Sequence, residues 1–323
     1  MPAFRKDELK IFSGNSNPYL VQKICEYLGV KPGSINIGRF PDGEIDVKVE
    51  EDIRGTDVFI VESLSHPVNE HLVELCIILD CLKRASADRI TAVIPYYGYS
   101  RQDRKAEGRV PISAKLVANL ITVSGANRVL TMDLHAPQIQ GFFDIPLDHL
   151  LAFPVICNFI SKEIDLAGTT IVAPDLGAVK LALNYATYLN LPIAILDKRR
   201  NTPTQTEVLH IIGEIEGRNI LFVDDIVSTG TSLIEAAKRL KEKGARKIYC
   251  AVTHAVLSKN AQDNILNSPV ERIFITDTIN HKQLNKKFTV VTIAPLFAEA
   301  IKRIHKSESI SSLFNFAQKK IFS

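Results

Sequence analysis

The stretch "NILFVDDIVSTGTSL" (219–233) decides the fold, because it joins a strand to a helix through a short polar loop. Residues 219–223 predict a buried strand, and the periodic segment that begins at residue 232 predicts an amphipathic helix. Two acids follow the strand, and the loop after them contains serine, threonine and glycine. Glycine lets the backbone approach a ligand, and the free N–H groups of a helix start favour phosphate. The loop therefore predicts an anion-binding site.

The two acids would repel a phosphate, so we expect them to face sugar hydroxyls or a metal. A strand-end aspartate beside a helix-capping serine or threonine is also common without any ligand. That alternative explains one acid better than two, so we favour a site for a phosphosugar. Its predicted substrate-binding residues are Asp224, Asp225, Ser228, Thr229, Gly230, Thr231 and Ser232.

Short β-branched runs alternate with amphipathic segments along most of the 323 residues. This alternation predicts an α/β protein with mainly parallel sheets flanked by helices. The length favours two domains. Residues 141–154 interrupt the alternation with two prolines and no clear period. We therefore expect one domain over residues 1–150 and another over 151–303.

Composition narrows the class of protein. The formal charge of +3 is too small to indicate nucleic-acid binding. No apolar run approaches the roughly 20 residues needed to cross a bilayer, and the N-terminus lacks the apolar core of a signal peptide. The five cysteines form no metal-binding pattern with the histidines. We expect a cytoplasmic protein that binds neither nucleic acid nor a membrane.

Polar residues follow two further predicted strands. Asp133 and His135 in "TMDLHAPQIQGFFD" (131–144) alternate with apolar neighbours, so we expect them on one face of the sheet. Magnesium prefers oxygen ligands, and His135 could contact a nucleotide or a bound water; a core or capping histidine explains it equally well. Asp175 in "IVAPDLGAVKLA" (171–182) also fits ordinary turn chemistry.

Three cations, Lys198, Arg199 and Arg200, open the polar segment "DKRRNTPTQTEV" (197–208). A run of charges is usually a solvated face. Cations on a closing loop are also suited to stabilising the charge that develops on phosphate oxygens during transfer. The stretch alone does not decide between these interpretations.

Two N-terminal segments place charged residues at glycine turns, "RFPDGE" (39–44) and "IPYYGYSRQDRKAEGR" (94–109). An aromatic ring such as Phe40 could stack on a purine while acids or an amide contact its edge, and Arg101 could meet phosphate. The alternative is a surface hairpin and a surface loop. The candidate residues are Phe40, Asp42, Gly43, Glu44, Arg101 and Gln102.

Together these stretches resemble the ribose-phosphate pyrophosphokinase (phosphoribosyl pyrophosphate synthetase) family from about residue 9 to 315. Besides the segments above, the matching motifs are "NSNP" (15–18), "SHPVNEH" (65–71), "LKRASA" (82–87), "DLHAPQIQGFFDIPLDHL" (133–150), "DKRR" (197–200) and "VDDI" (223–226). The resemblance implies two related phosphoribosyltransferase-like domains, and transfer of the diphosphoryl group of MgATP to the 1-hydroxyl of ribose 5-phosphate. It also implies a homohexamer or a related ring.

The resemblance implies a role for each candidate. The first domain would bind ATP, and the C-terminal tail, about 304–323, would pack on it; the second domain would bind ribose phosphate. Lys198 and Arg200 would be catalytic, and His135 and Asp175 would hold Mg2+. ATP would contact Phe40, Asp42, Gly43, Glu44, Arg101 and Gln102, and the sugar phosphate would contact the residues of 224–232 given above.

The chain departs from the family pattern in two places. The family usually has a second glycine in the phosphate loop, where this chain has Thr231, and we expect this to alter affinity for ribose phosphate. Leu176 and Ala178 stand where glycines usually follow Asp175, which predicts a poorer approach of the backbone to diphosphate. The remaining alternatives are a phosphoribosyltransferase and a non-catalytic regulatory relative. The first leaves the N-terminal motifs unexplained, and the second is less compatible with the uninterrupted 197–208 segment.

Overall fold

The computed structural model describes residues 8–199 and 208–314. The chain divides into two compact units. The first comprises the chain up to Leu151, the short segment Thr278–Asn280, and a segment that begins at Ile293. The second comprises Ala152–Asp277 and His281–Thr292. The chain therefore passes from one unit to the other more than once.

The first unit is built on a five-stranded parallel sheet with the strand order β1-β4-β5-β6-β7. Its strands are β1 (Leu9–Ser13), β4 (Asp57–Val61), β5 (Arg89–Ile94), β6 (Arg128–Met132) and β7 (Leu147–Leu150), and β2 (Ile35–Arg39) and β3 (Ile45–Val49) form a separate antiparallel hairpin. Its helices are α1 (Pro18–Leu28), α2 (Val68–Arg84), α3 (Ser113–Ser124) and α8 (Ala294–His305), with a 3-10 helix at Pro137–Phe142.

The second unit contains a seven-stranded sheet with the order β10-β9-β8-β11-β12-β13-β14. Only the pairing of β10 with β9 is antiparallel. The strands are β8 (Thr169–Ala173), β9 (Ile193–Arg199), β10 (Val208–Ile212), β11 (Asn219–Val227), β12 (Ile248–Ala255), β13 (Arg272–Thr276) and β14 (Phe288–Val291). The helices are α4 (Phe153–Glu163), α5 (Val179–Leu189), α6 (Thr231–Glu242) and α7 (Ala261–Leu266).

Burial explains why these segments adopt their structures. All five residues of β4 and all eight of β12 are buried, as expected for strands covered on both faces. α6 buries Leu233, Ala236, Ala237 and Leu240, a spacing that puts one stripe of the helix against the sheet. The prediction of an α/β fold with mainly parallel sheets is confirmed.

The position of α8 differs from the expected domain limits. Residues 293–303 were expected in the second domain, but they belong to the first unit, where α8 packs against α1. The guanidinium of Arg89 makes two hydrogen bonds to the buried Asp57, at 2.8 and 2.5 Å, and one to the carbonyl of Ile304. His305 Nδ1 lies 2.8 Å from the same carboxylate. These contacts hold the end of α8 against the first sheet.

Candidate active site

The carboxyl ends of three neighbouring strands of the second sheet carry its predicted site residues. β8 pairs in parallel with both β9 and β11, so the three strands end at the same edge. Asp175 follows β8, Asp224 lies in the last part of β11, and Lys198 is in β9, where its backbone pairs with Leu209. Arg200 lies outside the described residues. The fold thus brings Lys198, Asp175 and Asp224 to one edge.

β11 is longer than the sequence suggested. The strand was expected to end at residue 223, but it continues to Val227, so both acids are strand residues. The reason is continued pairing, because Asp224 lies opposite Val252 and Val227 opposite Ala255 of β12. The polar loop is consequently reduced to the three residues that precede α6.

The acids of this edge repel one another. The main-chain N–H of Asp225 donates a hydrogen bond to Asp224 Oδ1 at 2.9 Å. Burial is the main reason why the pKa of Asp224 lies above its ordinary value, and the negative charges of Asp225 and then Asp175 raise it further. A sugar hydroxyl or a cation placed here would favour the ionised carboxylate.

Gly230 is the turning point of the 228–230 loop. It has φ 74° and ψ −4°, in the left-handed region, and immediately precedes α6. A Cβ atom at this position would lie 3.3 Å from the side chain of Ile265, which is buried in α7. Both the backbone conformation and this close packing therefore require glycine. Among the described residues, no side chain caps the N-terminus of α6.

Thr231 does not occupy a position that needs glycine. It is the first residue of α6 and adopts the helical backbone, since Gly230 has already made the turn. Its hydroxyl lies 3.1 Å from the hydroxyl of Thr229. Thr231 therefore needs no left-handed conformation, and Ser232 follows in the same helical turn; the expected change in affinity for ribose phosphate stays a prediction.

Asp175 begins the turn between β8 and α5. Its Oδ1 accepts a hydrogen bond from the N–H of Ala178 at 3.1 Å. The main-chain N–H of Ala178 is thus already bonded within the turn. Leu176 is 67% exposed. The predicted effect of Leu176 and Ala178 on diphosphate binding stays a prediction.

His135 and Asp133 lie beyond β6, in the approach to the 3-10 helix. Asp133 has φ 38° and is buried, and its N–H donates to the carbonyl of Leu150 at 3.0 Å. His135 is exposed. The expectation that both side chains share one sheet face is wrong, because the strand ends at Met132 and its two-residue period does not extend to them.

The candidate ATP residues occupy two segments of the first unit. Phe40, Asp42, Gly43 and Glu44 form the β2–β3 turn, where Phe40 is 50% exposed and Gly43 has φ 96°. Gly43 and Glu44 line a cavity of about 480 Å³ together with Asn69 and Glu70 at the start of α2.

The second ATP segment reaches the same end of α2. Tyr99 lies two residues before Arg101, and its hydroxyl donates a hydrogen bond to the side chain of Asn69. Gln102 is fixed at the start of α3, where its carbonyl accepts from the N–H of Ala114 at 3.2 Å and its side chain accepts from the Ser113 hydroxyl. Arg101 is exposed.

The strand-end analysis missed one residue beside the phosphate loop. Ser258 follows β12, the neighbour of β11, and its hydroxyl lies 3.0 Å from that of Ser228. The sequence signal was a serine and a lysine shortly after a mainly apolar segment, in "VLSKN" (256–260). No motif marks it, so only the strand order reveals its proximity.

Comparison with known proteins decides the family. Residues 9–125 match the N-terminal domain of ribose phosphate pyrophosphokinase, and residues 198–315 match the phosphoribosyl synthetase-associated domain. The ribose-phosphate pyrophosphokinase of Thermosipho africanus is 54% identical over 310 residues, covering 96% of this chain and 98% of the relative. The chain belongs to the ribose-phosphate pyrophosphokinase family. The enzyme of that name from Thermotoga maritima is 51% identical and covers 95% of this chain and 98% of its own.

A solved structure supports the same assignment. The phosphoribosylpyrophosphate synthetase of Mycobacterium smegmatis superimposes with a TM-score of 0.87 at 36% identity, covering 93% of this chain and 99% of that one. The predicted family and fold class are confirmed. The chain is therefore a diphosphotransferase that forms phosphoribosyl pyrophosphate, a precursor in nucleotide biosynthesis.

Proposed function

We propose that the loop 228–230 and the first turn of α6 hold the 5-phosphate of ribose 5-phosphate. The observation that carries this assignment is Gly230, whose left-handed backbone directs the chain into a twelve-residue helix with no side-chain cap among the described residues. The N–H of Thr231 donates only a long hydrogen bond, 3.5 Å, to the Thr229 hydroxyl, and the N–H groups of the first turn together with the helix dipole favour an anion there. The hydroxyls of Ser228, Thr229, Thr231 and Ser232 add donors.

Asp224 and Asp225 would then accept hydrogen bonds from the ribose hydroxyls. They lie near the end of β11, which directly precedes the 228–230 loop. A hydroxyl that donates to Asp224 stabilises the ionised carboxylate, which opposes the rise in pKa caused by burial and by Asp225. Ligand binding and ionisation of Asp224 are therefore linked.

Transfer follows an in-line path on this proposal. The 1-hydroxyl oxygen forms a bond to the β-phosphorus, the bond from that phosphorus to the oxygen of the α-phosphate breaks, and AMP leaves with its electron pair. The hydroxyl proton passes to solvent or to a phosphate oxygen. Lys198 and Arg200 offset the charge that grows on the transferred group. No covalent intermediate on the protein is needed.

The described residues contain no ready-made cluster of three metal-ligating side chains, so magnesium would be held by few protein ligands together with phosphate oxygens and water. Carboxylate oxygens are the ligands that it prefers. The mutual repulsion of Asp224, Asp225 and Asp175 is the condition that a divalent cation relieves. We assign Asp175 and His135 to magnesium binding, directly or through water, as the family resemblance implies. Magnesium supplies positive charge that polarises phosphate oxygens.

The ATP assignment covers the hairpin turn and the segment after β5. Phe40 offers an exposed ring for stacking on adenine, and Asp42, Gly43 and Glu44 offer groups for its edge. Arg101 would bind phosphate, and Gln102 is held in place by α3. The common end of these segments at α2 supports one site.

A ring assembly and a cytoplasmic location complete the proposal. Leu116, Leu120 and Val123 are 57%, 37% and 73% exposed and lie on one face of α3, which supports contact with another copy of the chain. All five cysteines are free, as expected in a reducing compartment. Sedimentation of Val123→Glu should show smaller particles than the wild type, whereas Ile212→Glu, at an exposed apolar residue elsewhere, should not.

Phosphorus NMR with ATP, magnesium and ribose 5-phosphate tests the catalytic assignment. Lys198→Ala should lower kcat by orders of magnitude while the melting temperature stays unchanged, because the cation acts on the transition state. Lys243→Ala, at an exposed residue after α6, is the matched control. Near-normal kcat in Lys198→Ala would refute the role of Lys198.

Calorimetric titration with magnesium alone, without substrates, tests the metal assignment. Asp175→Asn and His135→Ala should each weaken magnesium binding, with Asp46→Asn, at an exposed carboxylate, as the control. Unchanged binding in both variants would remove the two residues from the metal site.

A further inference from the structure

The connection between β12 and α7 continues the sheet past the end of its strands. We call residues 257–259 the strap. The N–H groups of Val256 and Leu257 both donate to the carbonyl of Val227, at 2.9 and 3.2 Å. The N–H of Ser258 donates to the carbonyl of Ser228 at 3.1 Å. The strap therefore follows the chain of β11 into the phosphate loop itself.

The strap holds Ser258 in an unusual backbone. Leu257 has φ 48° and Lys259 has φ 55°, so two residues with side chains adopt the left-handed region on either side of one serine. Each such conformation costs about 1 kcal/mol or more for a residue other than glycine, asparagine or aspartate. Such strain persists only where surrounding contacts determine the conformation. Here those contacts are the bonds to β11 and the packing of Leu257 on the core of the second unit.

Two groups from this part of the chain support the phosphate loop. The Ser258 hydroxyl meets the Ser228 hydroxyl at 3.0 Å, at the beginning of the loop. The side chain of Ile265 packs against Gly230 at its end. The strap and α7 thus contact the loop at both ends.

The chemistry of phosphate gives the bond between the two serines a direction. Ionised phosphate oxygens only accept hydrogen bonds, so a Ser228 hydroxyl that binds phosphate must donate its single proton to it. The Ser228 oxygen is then left to accept, and Ser258 is the donor. Donation from Ser258 also polarises the Ser228 hydroxyl and makes it a better donor.

We propose that Ser258 is a positioning residue, which orients the Ser228 hydroxyl toward the 5-phosphate of ribose 5-phosphate. The inference rests on the proposed role of the 228–230 loop. Ser258 acts through Ser228 and not on ATP. Its removal should therefore change the affinity for ribose 5-phosphate and not the affinity for ATP.

Steady-state kinetics of single and double variants test the proposal. Ser258→Ala should raise KM for ribose 5-phosphate about 3- to 10-fold, the loss expected for one hydrogen bond. KM for ATP and kcat should change by less than about twofold. Ser258→Thr keeps the hydroxyl and should restore KM, whereas Ser161→Ala, which removes an exposed hydroxyl from α4, should have no effect.

The double variant separates positioning from general packing. If Ser258 acts through Ser228, then Ser258→Ala should add little to the KM of Ser228→Ala. Fully additive effects, or equal changes in KM for both substrates, would overturn the inference. If the proposed function of the 228–230 loop is wrong, Ser228→Ala alone will leave KM for ribose 5-phosphate unchanged, and this outcome differs from those that refute the role of Ser258. A raised KM in Ser228→Ala with a normal KM in Ser258→Ala would sink only the role of Ser258.

Discussion

The main-chain N–H of Asp225 donates a hydrogen bond of 2.9 Å to the carboxylate of the residue before it, Asp224. This bond favours the ionised form of Asp224, but it does not outweigh burial and the charges of Asp225 and Asp175, so the pKa is raised. Two neighbouring acids on one strand are therefore unfavourable for the protein without ligand. We interpret the pair as a binding feature that reduces stability.

Asp224→Asn should accordingly raise the melting temperature of the protein and weaken its binding of ribose 5-phosphate. The raised pKa means that Asp224 contributes stability below its unfolded pKa of about 3.9, and that this contribution is lost as the pH rises through the folded pKa. Melting temperatures of the variant without ligand should exceed those of the wild type at about pH 8, and should depend less on pH. KM for ribose 5-phosphate should rise by at least about tenfold.

The exposed Asp46 supplies the control, and Asp46→Asn should leave the pH profile unchanged. A variant at residue 224 that is less stable than the wild type at neutral pH would contradict the assigned repulsion.

Gly230→Ala should weaken ribose 5-phosphate binding. Alanine disfavours the left-handed backbone, and its Cβ atom would lie 3.3 Å from Ile265, so the loop must move. Gly217→Ala is a matched control, because Gly217 has φ 69° and nothing within 4 Å of the added atom. Both variants should lose about 1 kcal/mol of stability, but only Gly230→Ala should raise KM for the sugar phosphate. If both variants had the same KM for ribose 5-phosphate, the backbone of the 228–230 loop would not matter for binding of this substrate.

Thr231→Gly, which introduces the glycine usual in the family, should not improve affinity. Thr231 already has a helical backbone, so glycine there relieves no strain and removes a hydroxyl that lies 3.1 Å from Thr229. We expect an unchanged or higher KM for ribose 5-phosphate and a loss of stability of up to about 1 kcal/mol. Thr231→Ser keeps the hydroxyl and should behave like the wild type. A KM lowered by more than about threefold in the glycine variant would reverse this interpretation.

Glu62→Gln should raise the melting temperature at neutral and alkaline pH. Glu62 is completely buried, and its Oε1 has no hydrogen-bond partner among the described residues. Burial first, and then the charge of Glu74, raise the pKa of Glu62 well above its ordinary value. Because the folded pKa is the higher one, the stability that Glu62 contributes is lost as the pH rises above its unfolded pKa of about 4.3.

Glutamine carries no charge at any pH and should remove this loss. Glu242→Gln, at an exposed residue of α6, is the control for the change in net charge. Parallel stability curves for Glu62→Gln and the wild type from about pH 5 to about pH 9 would disprove the assignment.

The sequence predicted the elements of the fold better than their arrangement. Periodicity located the start of α6 to within one residue, because its buried stripe is continuous. It ended β11 too early, since the pairing with β12 that carries the strand through two acids depends on a distant segment. It also assigned α8 to the wrong unit, because contact with α1 is not visible in local composition.

The candidate site shows the same division. Asp224 and the residues of the loop were proposed from local chemistry, a pair of acids before a glycine turn, and their roles stay predictions. Ser258 was missed because its relation to Ser228 comes only from the order of strands. The sequence also does not say which residue of the loop takes the left-handed turn, and the structure gives that turn to Gly230 and not to Thr231.

The return of α8 to the first unit affects the order of synthesis and folding. Arg89 and Asp57 are made early, but their contacts with Ile304 and His305 must wait until nearly the whole polypeptide has left the ribosome. The N-terminal half therefore cannot complete its own core during translation as an independent domain would. Ribosome-bound chains that stop before residue 293 should leave the surface of α1 uncovered and open to chaperones.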